Sequence, residues 1–430
     1  MTLTGRAAAL AVTGALVIAV FGTGAALLAV NAALLAAIIA DILLAASVSR
    51  LSLSRAADAT IHLGGTGSAV LTVVNTGSRP LRGLVRDGWR PSAGAAPGRA
   101  PIALRPGGRA TLATTLTPLR RGDIAAGPVT VRSLGPLGLA GRQRSMPAPC
   151  TVRVLPQFLS RKHLPEKLAR LRELDGQHRS MLRGQGTEFD SLREYVLGDD
   201  VRSIDWRSTA RRGDVLVRTW RPERDRRIVI VLDTGRTSAG RVGDLPRLDV
   251  SMDAALLLAA LAVRAGDRVD LIAADRRVRT RVAGAGRGNV LGAFTSELAL
   301  LEPDLVEPDI GLMIAAVLGT VTQRSLVLLL TDLNPAAIEQ GLLPRARLLT
   351  SRHEVLLAAV ADPRLAEMAA DRADAGAVYG AAAALNAQAA RTRTGALLRR
   401  NGIEVLDEPP DRIAPAVADA YLGLKAAGRL

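Results

Sequence analysis

The sequence predicts an α/β protein with an N-terminal transmembrane helical hairpin, a small β-sandwich and a C-terminal doubly wound parallel sheet. Three observations predict this class. Residues 7–48 carry almost no charge, short strand-like runs between Gly and Pro fill residues 56–155, and apolar strands alternate with helical segments in residues 228–430. At 430 residues the chain exceeds what one hydrophobic core usually serves, so several domains are expected.

The apolar segment at residues 7–48 contains one charged side chain, Asp41. As a single helix it would be about 63 Å long, twice the roughly 30 Å hydrocarbon core of a bilayer. Two antiparallel spans that turn near Gly22-Thr23-Gly24, or slightly later near Asn31, fit this length. Arginines flank the segment on both sides, so the positive-inside rule places both ends in the cytoplasm. We therefore expect a protein of the cell (inner or plasma) membrane with two spans and most of its chain cytoplasmic.

Two other interpretations of this segment stay open. Residues 7–21 fit the core of a cleaved signal peptide, although the apolar run continues far beyond a normal cleavage site. A single tilted span would place the C-terminus outside the cell. Asp41 is costly inside a membrane, and its position near the end of the segment predicts that it reaches the interface.

The remaining chain divides by composition and pattern into regions that follow the transmembrane residues 1–49. These regions are a β-sandwich-like domain at 50–155, a charged junction region at 156–227 and an α/β domain at 228–430. Residues 49–155 carry fifteen Arg against three acidic residues. Such a basic surface suits contact with anionic lipid headgroups, and it equally suits ordinary solvation.

Composition excludes several classes of function. The one cysteine, Cys150, rules out an internal disulfide framework and any multi-cysteine metal site. The four histidines have no metal-ligand spacing. Aromatic residues make up only 2% of the chain, which leaves few stacking platforms for single-stranded nucleic acid, so no nucleic-acid partner is expected.

Two fully apolar strands of the C-terminal region are each followed by an aspartate, Asp233 and Asp332. Ligands of doubly wound sheets bind outside the carboxyl ends of the strands, so neighbouring strands would bring both carboxylates to one site. With the hydroxyl of Thr237 they would suit a hard cation such as Mg²⁺. Strand-end aspartates that cap a helix or pair with arginine are the structural alternative.

The loop Gly235–Gly240 also has the spacing of a phosphate-binding loop. Arg241 and Val242 stand where such a loop needs Lys and Ser or Thr. A nucleotide- or phosphate-binding enzyme is therefore an alternative function, as is a metal-free structural membrane protein. Local sequence shows no Ser-His-Asp or Cys-His arrangement.

The run at residues 186–211, GTEFDSLREYVLGDDVRSIDWRSTAR, is specific. It resembles the signature of the bacterial domain-of-unknown-function family fifty-eight (DUF58), which reads approximately G-x-E-F-x-x-x-R-x-Y-x-x-G-D-D-x-R-x-I-D-W-x-x-x-A-R. An ion-pair network explains its alternating charges at least as well as catalysis does. Its aromatic and charged residues suit a protein-binding hot spot or, as we prefer, a buried domain junction. The residues in question are Glu188, Arg193, Tyr195, Asp199, Asp200, Arg202, Asp205, Trp206 and Arg211.

The resemblance implies the whole layout, with a von Willebrand factor A-like domain at the C-terminus. It also implies a metal-ion-dependent adhesion site of the form D-x-S-x-S, on which Asp233 matches the first Asp, Thr237 the second Ser and Asp332 the late Asp. Gly235 replaces the first Ser, and the loop Arg287-Gly288-Asn289 stands where the family has a Thr, so the site is degenerate. Gly135–Leu139 resembles a drifted form of the family's D-P-F-G-L segment.

The family is not known as an enzyme, and its members are commonly encoded beside MoxR-type AAA+ ATPases. The resemblance therefore implies a non-enzymatic, membrane-anchored adaptor. Such an adaptor would act with a MoxR-type ATPase on a client protein that the sequence does not identify.

Overall fold

The computed structural model describes residues 2–181, 188–221, 226–284 and 289–430. Among these, the side chains of residues 175–181, 188–190 and 219–221 are not described. The chain forms two compact units, Met1–Leu155 and Pro156–Leu430.

The first unit begins with two apolar helices, α1 (Gly5–Phe21) and α2 (Gly24–Leu44). Gly22 ends α1 with a left-handed backbone (φ +60°), and the Thr23 hydroxyl caps α2 by accepting the Ala26 N–H. The break thus lies where the Gly22-Thr23-Gly24 motif predicts it. One helical stretch, Gly24–Arg50, is long and apolar enough to cross a membrane, with a mean hydropathy of 2.5.

Short β-strands make up the rest of the first unit, as the Gly/Pro punctuation predicts. They are β1 (Thr2–Leu3), β2 (Leu51–Ala57), β3 (Thr60–His62), β4 (Gly67–Asn75), β5 (Leu81–Arg86), β6 (Arg99–Leu104), β7 (Arg109–Leu116), β8 (Gly122–Ala125), β9 (Val129–Leu134), β10 (Ala140–Met146) and β11 (Thr151–Leu155). They form sheets in the orders β1-β10-β9-β5-β6, β2-β4-β7 and β3-β11-β8. Because β1 pairs with β10, the residues before α1 belong to the same sheet as those that follow the β9–β10 turn.

Apolar side chains from the first two sheets pack into one core, with Leu71 and Val73 on one sheet and Leu81, Val85 and Val131 on the other. The arrangement is that of sheets packed face to face, whose inward residues alternate with solvated ones. The core is thin, because the inward residues are mostly Val and Leu of short strands.

The second unit begins with helix α3 (Leu164–Met181) and a two-stranded antiparallel hairpin of β12 (Glu188–Glu194) and β13 (Leu216–Arg221). The connection between these strands contains a 3₁₀ turn (Val201–Ser203) and a short helix, α4 (Trp206–Arg212). We refer to residues 191–218 as the signature module, since most of the specific sequence run lies here.

A six-stranded sheet follows, in the order β18-β17-β14-β19-β20-β21, and only β18 is antiparallel to its neighbour. The six strands of this sheet are β14 (Arg227–Asp233), β17 (Arg268–Ala274), β18 (Val278–Val282), β19 (Leu326–Leu330), β20 (Glu354–Val360) and β21 (Ile403–Glu408). Two further strands, β15 (Arg241–Val242) and β16 (Leu245–Pro246), form a separate small hairpin. The helices are α5 (Arg247–Arg264), α6 (Val290–Leu300), α7 (Ile310–Leu318), α8 (Pro335–Ala337), α9 (Ala346–Thr350), α10 (Pro363–Ala370), α11 (Ala375–Arg400) and α12 (Ile413–Ala426).

Helices cover both faces of this sheet. Helices α5 and α12 contribute to the core on one face, and α7, α9 and α11 contribute to the core on the other. The central strands are therefore buried on both sides and read as continuous apolar runs. Strand β14 leads through α5 to β17 on one side, whereas its other neighbour is β19. The switch point of the doubly wound sheet thus lies between the carboxyl ends of β14 and β19.

Candidate functional site

The carboxyl edge of the sheet brings together the two aspartates predicted to hold a cation. Strands β14 and β19 are parallel neighbours with Leu232 opposite Leu330. Asp233 ends β14, and Asp332 lies two residues beyond the end of β19. The two carboxylates therefore meet at the switch point, as the sequence predicts.

Asp233 is buried, and its carboxylate is hydrogen-bonded within the chain. Oδ1 accepts the Gly235 N–H at 2.7 Å, and Oδ2 accepts the Thr331 hydroxyl at 2.7 Å and the Thr237 hydroxyl at 3.4 Å. Burial raises the pKa of Asp233, and these three donors only partly offset that effect. Thr331, which directly precedes Asp332, thus links the two aspartates.

Asp332 accepts hydrogen bonds from two arginines. Its Oδ2 lies 3.1 Å from Nη1 of Arg247, and its Oδ1 lies 2.6 Å from Nη1 of Arg391. Arg391 comes from α11 and also forms a two-bond ion pair with Asp407. Burial alone would lower the pKa of Arg391, but the Asp407 hydrogen bonds and the Asp332 charge outweigh it and raise the pKa.

Arg247 opens α5 and bridges the site. The same Nη1 that reaches Asp332 also donates to the carbonyl oxygen of Thr237 at 3.1 Å. Its side chain is only 16% exposed. The guanidinium group therefore ties the loop after β14 to the end of β19.

Gly235 fits a place with no room for a side chain. A Cβ there would lie 2.9 Å from the Val306 carbonyl oxygen and 3.0 Å from both Asp233 Oδ1 and Pro308 Cδ. A serine at this position, as in the adhesion-type motif, would require the 306–308 loop to shift. The serine hydroxyl of the adhesion-type motif is thus absent at Gly235, and the 306–308 loop packs closely against the backbone in its place.

The same loop uses its N–H groups internally. The N–H groups of Gly235, Arg236, Ser238 and Gly240 all donate to oxygens of this chain. A phosphate-binding loop directs such groups at its ligand. The geometry of Gly235–Gly240 therefore gives no support to the phosphate-binding alternative.

As arranged, the predicted ligands do not fit a divalent cation. Each oxygen of Asp332 already accepts from a guanidinium group, and each oxygen of Asp233 accepts from an N–H or hydroxyl group. Among the described residues, no cluster of three or more His, Cys, Asp or Glu side chains is arranged to hold a metal ion. Arg287 and Gly288 lie outside the described residues, and Asn289 caps α6 by accepting the Gly292 N–H.

In the signature module, the acidic residues fold the connection between β12 and β13. Asp199 pairs with Arg193 at 2.5 Å and accepts the Val196 N–H. Asp200 caps the 3₁₀ turn through the Arg202 N–H. The hydrogen bonds of Arg193 and of the Val196 N–H hold the pKa of Asp199 below its usual range.

Asp205 has a matching role one turn further on. Its Oδ1 caps α4 by accepting the Ser208 N–H at 3.0 Å, and its Oδ2 pairs with Arg218 at 2.8 Å. These contacts lower the pKa of Asp205, the Ser208 N–H contributing most and Arg218 next. Of the predicted ion-pair network the structure describes one pair, Arg193 with Asp199, and a second pair joins Asp205 to Arg218, which the motif does not contain.

The module also exposes large apolar side chains. Leu197 is 97% exposed and Trp206 65% exposed, and Val196 and Val201 are exposed as well. Tyr195 is half-buried. We expected a buried junction for these residues, and the exposure of Trp206 does not fit that expectation. The side chain of Glu188 lies outside the described residues.

Helix α4, which begins at Trp206, also carries positive charge. Arg207, Arg211 and Arg212 are exposed on a helix that contains no acidic residue, and Arg202 is exposed just before it. Within the described residues, none of these four arginines forms an ion pair. Between Arg202 and Arg212 the module therefore exposes one aromatic ring and four arginines that have no ion pair within the described residues.

A third arrangement joins helix α2 to the turn predicted as the drifted D-P-F-G-L segment. The Asp41 carboxylate is fully buried and accepts the N–H groups of Leu137, Leu139 and Ala140 at 2.7–2.8 Å. That Asp41 reaches a membrane interface stays a prediction. In the structure Asp41 contacts the β domain. It holds the β9–β10 turn against the end of the helix.

Residues 191–398 are similar to the family described as "Protein of unknown function DUF58", whose model they match. Two curated relatives are similar to this chain, the uncharacterized proteins Rv1480 of Mycobacterium tuberculosis and Mb1516 of Mycobacterium bovis. Each is 29% identical over 198 residues, which cover 45% of this chain and 61% of the relative. The chain thus spans about three fifths of the length of the curated relatives it matches.

Solved structures give weaker likenesses. The CARDB domain of the PF1109 protein from Pyrococcus furiosus is 14% identical, with a TM-score of 0.18, and the match covers 24% of this chain and 91% of that domain. A FixG-related protein from Vibrio parahaemolyticus is 12% identical, with a TM-score of 0.16, over 24% of this chain and 96% of that one. Scores this low support no statement about a shared fold.

Sequence reasoning missed the two arginines that complete the carboxyl edge. Arg247 lies seven residues beyond the loop Gly235–Gly240 and Arg391 fifty-nine residues beyond Asp332, so neither has a local motif. Thr331 carried a usable signal, since it directly precedes Asp332 in the strand-end run LVLLLTD.

Proposed function

We propose that this chain is a non-enzymatic, membrane-anchored adaptor that binds a MoxR-type AAA+ ATPase and helps it to assemble or activate a client protein. The anchor is the α1–α2 pair as two membrane spans, with the bulk of the chain in the cytoplasm and a von Willebrand factor A-like domain at its C-terminus. The observation that carries the proposal is the exposed Trp206 at the start of α4, a helix with three exposed arginines that form no ion pair within the described residues.

The chemistry of this surface suits a protein partner. Tryptophan and arginine dominate the residues that contribute most to protein–protein affinity. The ion pairs Arg193–Asp199 and Asp205–Arg218 fix the module, so little ordering entropy is lost when it binds. The three arginines on α4, which form no ion pair within the described residues, favour an acidic partner surface.

The end of α2 supports the proposed topology. Arg79 donates to the carbonyl oxygen of Leu43, and Arg142 donates to that of Ile42. These arginines satisfy the last carbonyls of the helix and place positive charge at its end, which is typical of the cytoplasmic side of a membrane span.

The test uses the full chain in lipid nanodiscs and a purified MoxR-type AAA+ ATPase. We expect saturable binding that weakens about thirtyfold in Trp206→Ala, the effect of losing a central contact worth about 2 kcal/mol. Tyr379→Ala is the matched control, because Tyr379 is an aromatic residue 80% exposed on α11. No ATPase binding by the wild-type chain would refute the proposed function. Equal binding by the two variants would refute only the assigned surface.

A further inference from the structure

We infer that Arg247 and Arg391 have taken the place of a divalent cation at the carboxyl edge of the sheet, so that this edge works without metal. Their guanidinium groups contact the carboxylate that a cation would bridge. A Mg²⁺ site predicts saturable binding of a divalent cation at this edge, whereas this proposal predicts none, so a titration with a divalent cation separates the two. Neither depends on the proposed ATPase partner.

The first argument is that Arg247 supplies the positive charge and the bridging contacts that a cation would supply at this edge. Asp233 and Asp332 are like charges at neighbouring strand ends: Oδ2 of Asp233 accepts the hydroxyl of Thr331 at 2.7 Å, and Asp332 is the next residue. A positive group between the strand ends relieves this repulsion. Nη1 of Arg247 lies 3.1 Å from both Asp332 Oδ2 and the Thr237 carbonyl oxygen, and so bridges the residues that a metal would join.

The second argument is that the arginines are fixed in place. Arg391 is 13% exposed and its side chain is held by a two-bond ion pair with Asp407, which leaves Nη1 directed at Asp332. Planar guanidinium groups match carboxylates through several parallel N–H bonds. A hydrated cation entering here would have to displace at least one of these buried ion pairs.

The third argument is that the site lacks a group a metal would need. The place of the missing serine hydroxyl is filled by the Val306 carbonyl oxygen and Pro308, which leave no room for a side chain on Gly235. The loop is therefore built for packing and not for a further ligand.

The experiment titrates Mn²⁺ into the full chain in detergent, followed by electron paramagnetic resonance and by the shift in melting temperature with Mg²⁺. For the wild type we expect no saturable binding up to about 1 mM, the weak end of oxygen-ligand sites, and no change in melting temperature. In Arg247→Ala we expect a lower melting temperature that Mg²⁺ partly restores, together with new Mn²⁺ binding. That binding should disappear when Asp233→Asn is added.

Arg279→Ala is the matched control, because Arg279 also bridges two carboxylates, those of Asp275 and Asp304, and is 22% exposed. It should not create Mn²⁺ binding that depends on Asp233. If Arg247→Ala does not fold, Arg247→Gln keeps one N–H donor while removing the charge. Asp233-dependent Mn²⁺ binding by the wild type would overturn the inference. So would folded Arg247 variants that bind no metal, since the carboxylates would then not form a cation site at all.

Discussion

The Asp41 carboxylate accepts a 2.7 Å hydrogen bond from the backbone N–H of Leu139, which joins the end of helix α2 to the β9–β10 turn. Two further N–H groups of the same turn donate to this carboxylate. An acidic residue in an apolar helix is costly unless its hydrogen bonds are satisfied. Here the turn supplies them, so Asp41 specifies where the β domain meets the helix.

Replacing Asp41 by alanine should destabilise the first unit. Leu139 and Ala140 are buried, and each N–H left unpaired costs about 1–3 kcal/mol. We expect faster proteolysis of the β domain and a lower unfolding midpoint for the full chain in detergent. Asn31→Ala, an exposed polar position on the same helix, is the control. Equal midpoints for the two variants would show that the contact does not stabilise the unit.

Gly135→Ala should weaken the same contact from the other side. A Cβ on Gly135 would lie 2.1 Å from Oδ1 of Asp41, which is well inside contact distance. Since both changes act on one contact, their effects on unfolding free energy should be less than additive in a double-mutant cycle. Gly98→Ala is the control, because a Cβ there has no neighbour within 4 Å. Additive effects would argue against a shared contact.

The two aspartates of the carboxyl edge should respond differently to amidation. Asp233→Asn keeps the Gly235 bond, can donate to the Thr331 and Thr237 hydroxyls and removes a buried charge, so we expect unchanged or greater stability. Asp332→Asn leaves Arg247 and Arg391 without their shared carboxylate and should cost about 3 kcal/mol. Denaturant unfolding of both variants measures the difference. Equal losses would contradict the arrangement described for this edge.

Acidification should loosen the signature module. The folded-state pKa values of Asp199 and Asp205 lie below those of the unfolded chain, which are about 3.9. Their contribution to stability is therefore present above about pH 4 and lost as the pH falls through the lower folded-state values. Hydrogen–deuterium exchange of the module, corrected for intrinsic rates, should show opening below about pH 4. In Asp199→Asn and Asp205→Asn the module should be open already at neutral pH, and wild-type protection there would contradict this assignment.

Much of the fold could be predicted because its signals are local. The buried strands Ile228–Leu232 and Leu326–Leu330 are continuous apolar runs, and the observed strands β14 and β19 coincide with them within one residue at each end. The Gly22-Thr23-Gly24 motif marks the helix break, because glycine tolerates the left-handed backbone at its first position.

The rest could not be predicted because its contacts are distant in sequence. Asp41 meets Leu139 across 98 residues, and Arg391 meets Asp332 across 59. The module was missed as a hairpin because its connection is long and polar, and it is held by contacts such as the ion pair of Arg218 with Asp205. The sequence shows that a charged residue in an apolar segment needs a partner, but its neighbours in sequence do not show which distant residue is that partner.

The first strand also limits how the protein can move. Because β1 pairs with β10 and Asp41 grips the turn next to it, the two helices leave and re-enter the β domain at adjacent points. A load applied to the β domain is therefore shared by both helices instead of stretching one tether. Torque applied to the domain would likewise turn the helices with it. We therefore expect the first unit to move as a stiff body, with little displacement of the β domain relative to helices α1 and α2.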